Sequence, residues 1–109
     1  MNAVMQDEEF VYCTHGEIAG EPVCMIREAE GWTLVLRRGD AERLGLAYTY
    51  LCRMITLTVH SSLEAVGLLA EVTARLAGRG ISVNAVSGYY HDHLFVPVER
   101  ADEAMDALR

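Results

Sequence analysis

The stretch His60-Ser61-Ser62-Leu63-Glu64-Ala65-Val66-Gly67 is where this chain could hold a small polar molecule. It follows an alternating, strand-like pattern and precedes a helical one, so it reads as a strand-to-helix loop. A helix start presents amides without internal acceptors and a partial positive charge, which suits a carboxylate. Gly67 lets a ligand or another backbone come close. Glu64 repels a carboxylate, though it could hold an ammonium group. A purely structural role competes with this one. Ser61 and Glu64 stand in capping-box spacing and could simply close the helix start. Asn84 and Val86 lie on the strand after that helix. The Asn84 amide could fix a ligand's polar end, or only bond across strands. The ligand-binding candidates are therefore His60, Ser61, Ser62, Leu63, Glu64, Val66, Gly67, Asn84 and Val86.

His91-Asp92-His93 is a different kind of candidate. Alternation puts the two imidazoles on one side of a strand, and His60 could join them on a transition metal. The ligand set is incomplete, and a solvated hairpin tip with Asp92 as turn former accounts for the same residues. No metal or other cofactor is expected. Catalysis finds little support. His60 and Ser61 are adjacent, which points them apart, and no G-x-S-x-G, phosphate loop or dinucleotide fingerprint occurs.

The elements that must position these residues follow from the pattern. Residues 1–8 read as a frayed tail. Phe10–Cys13, Pro22–Ile26 and Trp32–Leu36 read as strands, and Asp40 can cap a short helix over Ala41–Leu44. A long strand runs from Tyr48 to His60, with Ile55, Leu57 and Val59 on one face. The next helix starts after Ser61. Val66, Leu69, Ala70, Thr73 and Leu76 recur along it, and Gly78-Arg79-Gly80 ends it. Glu71 and Arg75 form an i,i+4 pair worth ~0.3 kcal/mol. A strand from Ile81 to Tyr90 leads to a hairpin tip at His91-Asp92, with Tyr89 and Tyr90 on opposite faces. A strand through Leu94, Val96 and Val98 follows, with Pro97 near its end, and Ala101–Leu108 closes the chain as a helix. The order βαββα in the C-terminal half is the core of a ferredoxin-like unit.

Composition sets outer bounds. The chain has 109 residues, 51% of them apolar, 23% charged, and a net charge of −7. That is enough core for one compact domain or two very small units. The acidic balance argues against nucleic acid or an anionic membrane as partner. No apolar run is long enough to span a bilayer, and the acidic N-terminus does not read as a signal peptide, so a cytoplasmic location is expected. Cys13, Cys24 and Cys52 form no C-x-x-C pair and read as reduced core thiols.

ITLTVHSSLEAVGLLAEV followed by GISVNAVSGYYHDHLFVPVERADEAMDAL resembles an ACT domain, and the stretch Pro22–Leu46 with REAEGWTLVL resembles the first unit of small tandem ACT proteins. Those proteins are similar to the amino-acid-sensing ACT repeats of aspartate kinases. The resemblance implies an α+β, ferredoxin-like fold with two ACT-like units, over residues 9–52 (reduced) and 53–109. They would share a mostly antiparallel sheet with helices on one face. It also implies a regulatory, non-catalytic protein binding an amino acid or related metabolite at the strand-to-helix loop, where ACT units meet. The C-terminal unit lacks a fourth strand. Its open edge should be covered by the N-terminal half, in a sheet of about eight strands, and a homodimer is expected. The alternatives are an assembly module without a ligand and, from another class, a metal-binding protein or enzyme using the histidines.

Overall fold

The computed structural model describes residues 2–59 and 62–109. The elements run β1 (Ala3–His15), β2 (Cys24–Glu28), β3 (Gly31–Arg37), α1 (Arg38–Arg43), β4 (Thr49–Leu57), α2 (Leu68–Ala77), β5 (Asn84–Ser87), β6 (Asp92–Pro97), a 3₁₀ turn (Val98–Arg100) and α3 (Ala101–Ala107). Hydrogen bonds link the strands in the order β2-β3-β1-β4-β6-β5, six rather than about eight. The chain forms two compact units, Met1–Asp7 with Arg53–Arg109, and Glu8–Cys52. The α+β, ferredoxin-like expectation is met in element order and in sheet.

In the first of these units, residues 3–7 are strand, not tail. The reason is that β4 takes up their backbone groups. Arg53 donates to the Gln6 carbonyl from Nη2 at 2.6 Å and from Nε at 3.2 Å, and the Thr58 amide donates to the Asn2 carbonyl at 3.0 Å. An extended segment so bonded has nothing left to fray. Ala3 and Met5 pack on the core. Ile55 and Leu57 of β4 alternate inward with Leu94 and Val96 of β6. They meet Val72 and Leu76 of α2 and Ala101, Ala104 and Leu108 of the C-terminal segment.

Several boundaries differ from the sequence expectation here: β4 ends at Leu57 rather than His60, which leaves Val59 exposed instead of on the inward face. The strand expected from Ile81 begins at Asn84. The Ile81 amide instead donates to the Leu76 carbonyl at 3.0 Å, closing α2, so Ile81 is a buried cap residue rather than a ladder residue. The hairpin turn falls on Gly88–His91, where the Gly88 amide donates to the His91 carbonyl at 2.8 Å. Ser87 and Asp92 are the last paired residues, so Asp92 is in the strand and not at the tip. Tyr89 and Tyr90 therefore do not alternate across a strand. They sit in the turn, rings edge to face with centroids 4.9 Å apart. Pro97, which has no amide proton, ends β6, and Val98, expected in the strand, opens the 3₁₀ turn instead.

In the second unit, β1 pairs antiparallel with β3 from Phe10↔Arg37 to His15↔Trp32. β2 pairs β3 from Cys24↔Val35 to Glu28↔Gly31. The turn at Ala29-Glu30 fixes this register, which moves β2 two residues past the expected Pro22–Ile26. Val11, Cys13, Leu34 and Leu36 bury one face against Ala41 of α1. That helix starts at Arg38 rather than after Asp40. Asp40 is inside its first turn and pairs with Arg43 at 2.8 Å. The cysteines are free, Cys13 and Cys52 buried and Cys24 half-buried. Burial pushes the Cys52 thiol up to about 12, so it stays neutral.

Two substitutions test this packing. Leu76→Ala is expected to cost about 2–5 kcal/mol, since Leu76 is fully buried and leaves a cavity. Gly31→Ala is expected to cost roughly 1–3 kcal/mol, because φ is +137° and a Cβ would stand 2.9 Å from the His15 carbonyl oxygen. Urea denaturation of each variant against the natural chain measures both.

Candidate functional site

The candidate loop and the β5–β6 hairpin meet at a cavity of about 180 Å³ in the first-described unit. Its rim is the loop, with Ser62, Leu63 and Ala65 among the lining residues. Leu68 to Ala70 in the first turn of α2, and Ser87 with Asp92, line it as well. The loop is held by its own turn. The Ser62 hydroxyl accepts from the Glu64 amide at 3.0 Å, and the Ser62 carbonyl accepts from the Ala65 amide at 3.0 Å. Such a side-chain bond to the nearby backbone competes with helix formation.

That competition explains where α2 begins. Its N-cap is Gly67, in the left-handed region at φ +95°, and no side chain caps it. A helix cannot run through that conformation, so the chain turns at Gly67 and becomes helical at Leu68. The helix expected from Ser61 is therefore later, and Glu64 is not in a capping-box position. Val66, expected on the apolar stripe, is 97% exposed. Within α2 the pattern holds. Val72 and Leu76 are buried, and Arg75 donates to Glu71 at 2.9 Å.

Asp92 is the notable charge of the site. It is 6% exposed, and the Ser87 hydroxyl donates to its Oδ1 at 2.5 Å. Their strand register sets this contact. A carboxylate on a cavity wall offers an acceptor to a cation or a hydrogen-bond donor. The first turn of α2 lines the same space, and the first amides of a helix have no intrahelical acceptor. One small space thus has a carboxylate and a helix start in its lining.

The sequence candidates distribute as follows. Ser62, Leu63 and Gly67 line the cavity. Glu64 and Val66 belong to the same loop but are exposed and outside the lining. Asn84 is exposed on β5 opposite Phe95, and Val86 is half-buried opposite His93, so neither reaches the cavity. His60 and Ser61 lie outside the described residues. Sequence reasoning placed Ala65 in the candidate stretch without naming it a ligand residue, took Asp92 for a turn former, and missed the first turn of α2 and Ser87. Taking Gly88 as the turn residue would have brought Ser87 and Asp92 together.

The histidines form a separate arrangement. Among the described residues no His, Cys, Asp and Glu cluster could hold a metal ion. His93 Nδ1 lies 3.0 Å from Thr56 Oγ1, which in turn accepts from Gln6 Nε2 at 3.2 Å. With Gln6 donating, the Thr56 proton is available to a neutral imidazole. Burial lowers the His93 pKa, the neighbouring His91 lowers it further, and Asp92 opposes both.

The chain is an α+β, ferredoxin-like sheet domain in which a strand-to-helix loop lines a small cavity. ACT domain profiles match residues 1–53 and, in tandem, residues 50–109, so the chain belongs to the ACT domain family. ACT domains are generally regulatory modules that bind small ligands. Among solved structures, the chain is similar to a Vibrio cholerae protein of unknown function described as a possible transport protein. The two share 44% identity over 97% of this chain and 85% of that one, with a TM-score of 0.91. A protein from Agrobacterium tumefaciens shares the fold at 16% identity, covering 93% of this chain and 80% of that one, TM-score 0.74. Aspartokinase alpha and beta subunits share it at 12% identity, covering 99% and 95%, TM-score 0.73. No curated protein matches the chain. No helix among the described residues is long and apolar enough to cross a membrane.

Because the folded state lowers the His93 pKa, the unfolded chain binds the extra proton first as pH falls below 6.5. Stability should then fall with pH through that window and hold above it. His93→Gln is expected to lose less stability than the natural chain between pH 7 and 5, measured by denaturation at each pH.

Proposed function

We propose that this ACT-domain protein is a non-catalytic regulator that binds a free amino acid, or a small metabolite with the same two charged groups. The cavity between Ser62–Ala70 and the Ser87–Asp92 pair would be its site. The observation that carries the reading is the buried Asp92 carboxylate facing the same space as the first turn of α2. An α-ammonium group would pair with Asp92, and the α-carboxylate would lie at the helix amides. A cavity of about 180 Å³ accommodates a free amino acid, and the small ones enter it with least rearrangement. The same reading has the protein act in the cytoplasm as a homodimer. The exposed Leu63, Val66, Tyr89 and Tyr90 give this unit apolar surface with which to associate.

Thermal unfolding in the presence of a panel of amino acids at millimolar concentration tests the proposal. A ligand at a hundred times its Kd stabilises by ~2.7 kcal/mol, which raises the Tm of a domain this size by several degrees. Glycine, alanine or serine is expected to do this for the natural chain. Asp92→Asn should weaken the effect by a factor of about ten or more, as expected for loss of a charged hydrogen bond. A panel without any shift on the natural chain would overturn the reading. Sedimentation at micromolar concentration tests the dimer, with a mass twice that of one chain expected.

A further inference from the structure

His93 sits at the neck of the hairpin that carries Asp92, on the other face of β6. Its imidazole ends a polar chain that crosses three strands of the first-described unit. Gln6 Nε2 donates to Thr56 Oγ1 at 3.2 Å, and Thr56 Oγ1 lies 3.0 Å from His93 Nδ1. With Gln6 donating, the Thr56 proton goes to Nδ1, so the chain is complete only while the imidazole is neutral. The hairpin turn stands against the other ring nitrogen. A Cβ placed on Gly88 would be 3.4 Å from His93 Nε2, and the Gly88 amide donates to the His91 carbonyl at 2.8 Å. One ring thus meets β4 on one edge and the turn on the other.

The surroundings favour the neutral form. His93 is half-buried, and burial lowers its pKa. Among the described residues two titratable groups act on it. His91 of the turn lowers the pKa further, and Asp92 of the same strand opposes. Thr56 of β4, Gln6 of β1 and Val86, the register partner on β5, carry no charge. A proton on Nδ1 would make the ring a donor there. Thr56 would then have to accept twice and send its own proton elsewhere, and at 8% exposure it has little water to send it to. Opening the neck hydrates the imidazolium and frees Thr56. The closed hairpin therefore takes the proton less readily than the opened one, so opening grows as pH falls below 6.5 and is unaffected well above it.

We propose that His93 is a pH-sensitive latch on the β5–β6 hairpin: neutral, it ties the turn to β4 through Thr56, and protonated, it releases the neck that holds Asp92 against Ser87. The consequence for ligand binding, that acid weakens it at the Asp92 cavity, rests on the amino-acid reading of that cavity; the latch itself does not.

Amide hydrogen exchange on the full chain, corrected for the intrinsic rate at each pH, reads the latch directly. Gly88 is expected to lose roughly threefold or more of its protection between about pH 7 and about pH 5, while the β3 amides keep theirs. In His93→Gln the Gly88 protection should be the same at both. Thr56→Val keeps the shape and removes the donor to Nδ1, so the His93 titration followed by NMR should move upward and the Gly88 response should shrink. Alanine, which keeps both its charges over this range, should bind the natural chain roughly threefold or more weakly at the lower pH and His93→Gln equally at both. Constant Gly88 protection in the natural chain, the same loss in His93→Gln, or an unmoved His93 titration in Thr56→Val would overturn the latch. Should His93→Gln fail to fold, the Thr56→Val comparison decides. Alanine binding of equal strength at both pH values would overturn the coupling to the cavity. No alanine binding at either pH would overturn the amino-acid reading, and the exchange data would still decide the latch.

Discussion

The interaction on which the first-described unit depends is the capture of residues 2–7 by β4. Arg53 holds the Gln6 carbonyl with two guanidinium nitrogens, and the backbone at Thr58 holds the Asn2 carbonyl. Strand alternation then leaves β4 no freedom. With its neighbour registered, Ile55 and Leu57 must face the helices, because a slip of one residue would turn them outward. Thr56, on the other face, bridges Gln6 to His93. That bridge lies across β1, β4 and β6, and β6 in turn begins with Asp92. A pairing at the chain's beginning thus bears on a carboxylate ninety residues later.

The same unit places a charge where apolar packing alone would not. Asp92 sits at the edge of the core, held by Ser87 across the hairpin neck. A buried carboxylate is a costly way to fill a position beside the core. It is a good way to define the polarity of a small space. An open depression in the other unit is lined mainly by tyrosine and threonine.

Much of the fold was legible residue by residue. Ile55 and Leu57 alternate, Val72 and Leu76 fall on a helical stripe, and Pro97 stops a strand, each for reasons confined to its neighbours. Misreadings arose where a local pattern had two physical outcomes. Ser61 and Glu64 had capping-box spacing, yet Gly67 in the left-handed region moved the helix start to Leu68. Ile81 looked like the first residue of a strand, yet its amide closes α2. The acidic start looked like a tail because the partner that orders it lies fifty residues away. Half of the candidate site was visible as the Ser62–Gly67 loop. The other half was not, because Ser87 and Asp92 meet only when the hairpin turn falls on Gly88–His91.

The sequence by itself determined the element types, which follow from hydrophobic period, turn residues and spacing within short windows, while the family came from its resemblance to known ACT domains. Strand order, register and the walls of the cavity were decided only by the tertiary structure. They depend on hydrogen bonds between residues far apart in the chain, such as Arg53 to Gln6, and on which of two locally acceptable turns lets both the ladder and the core be satisfied at once.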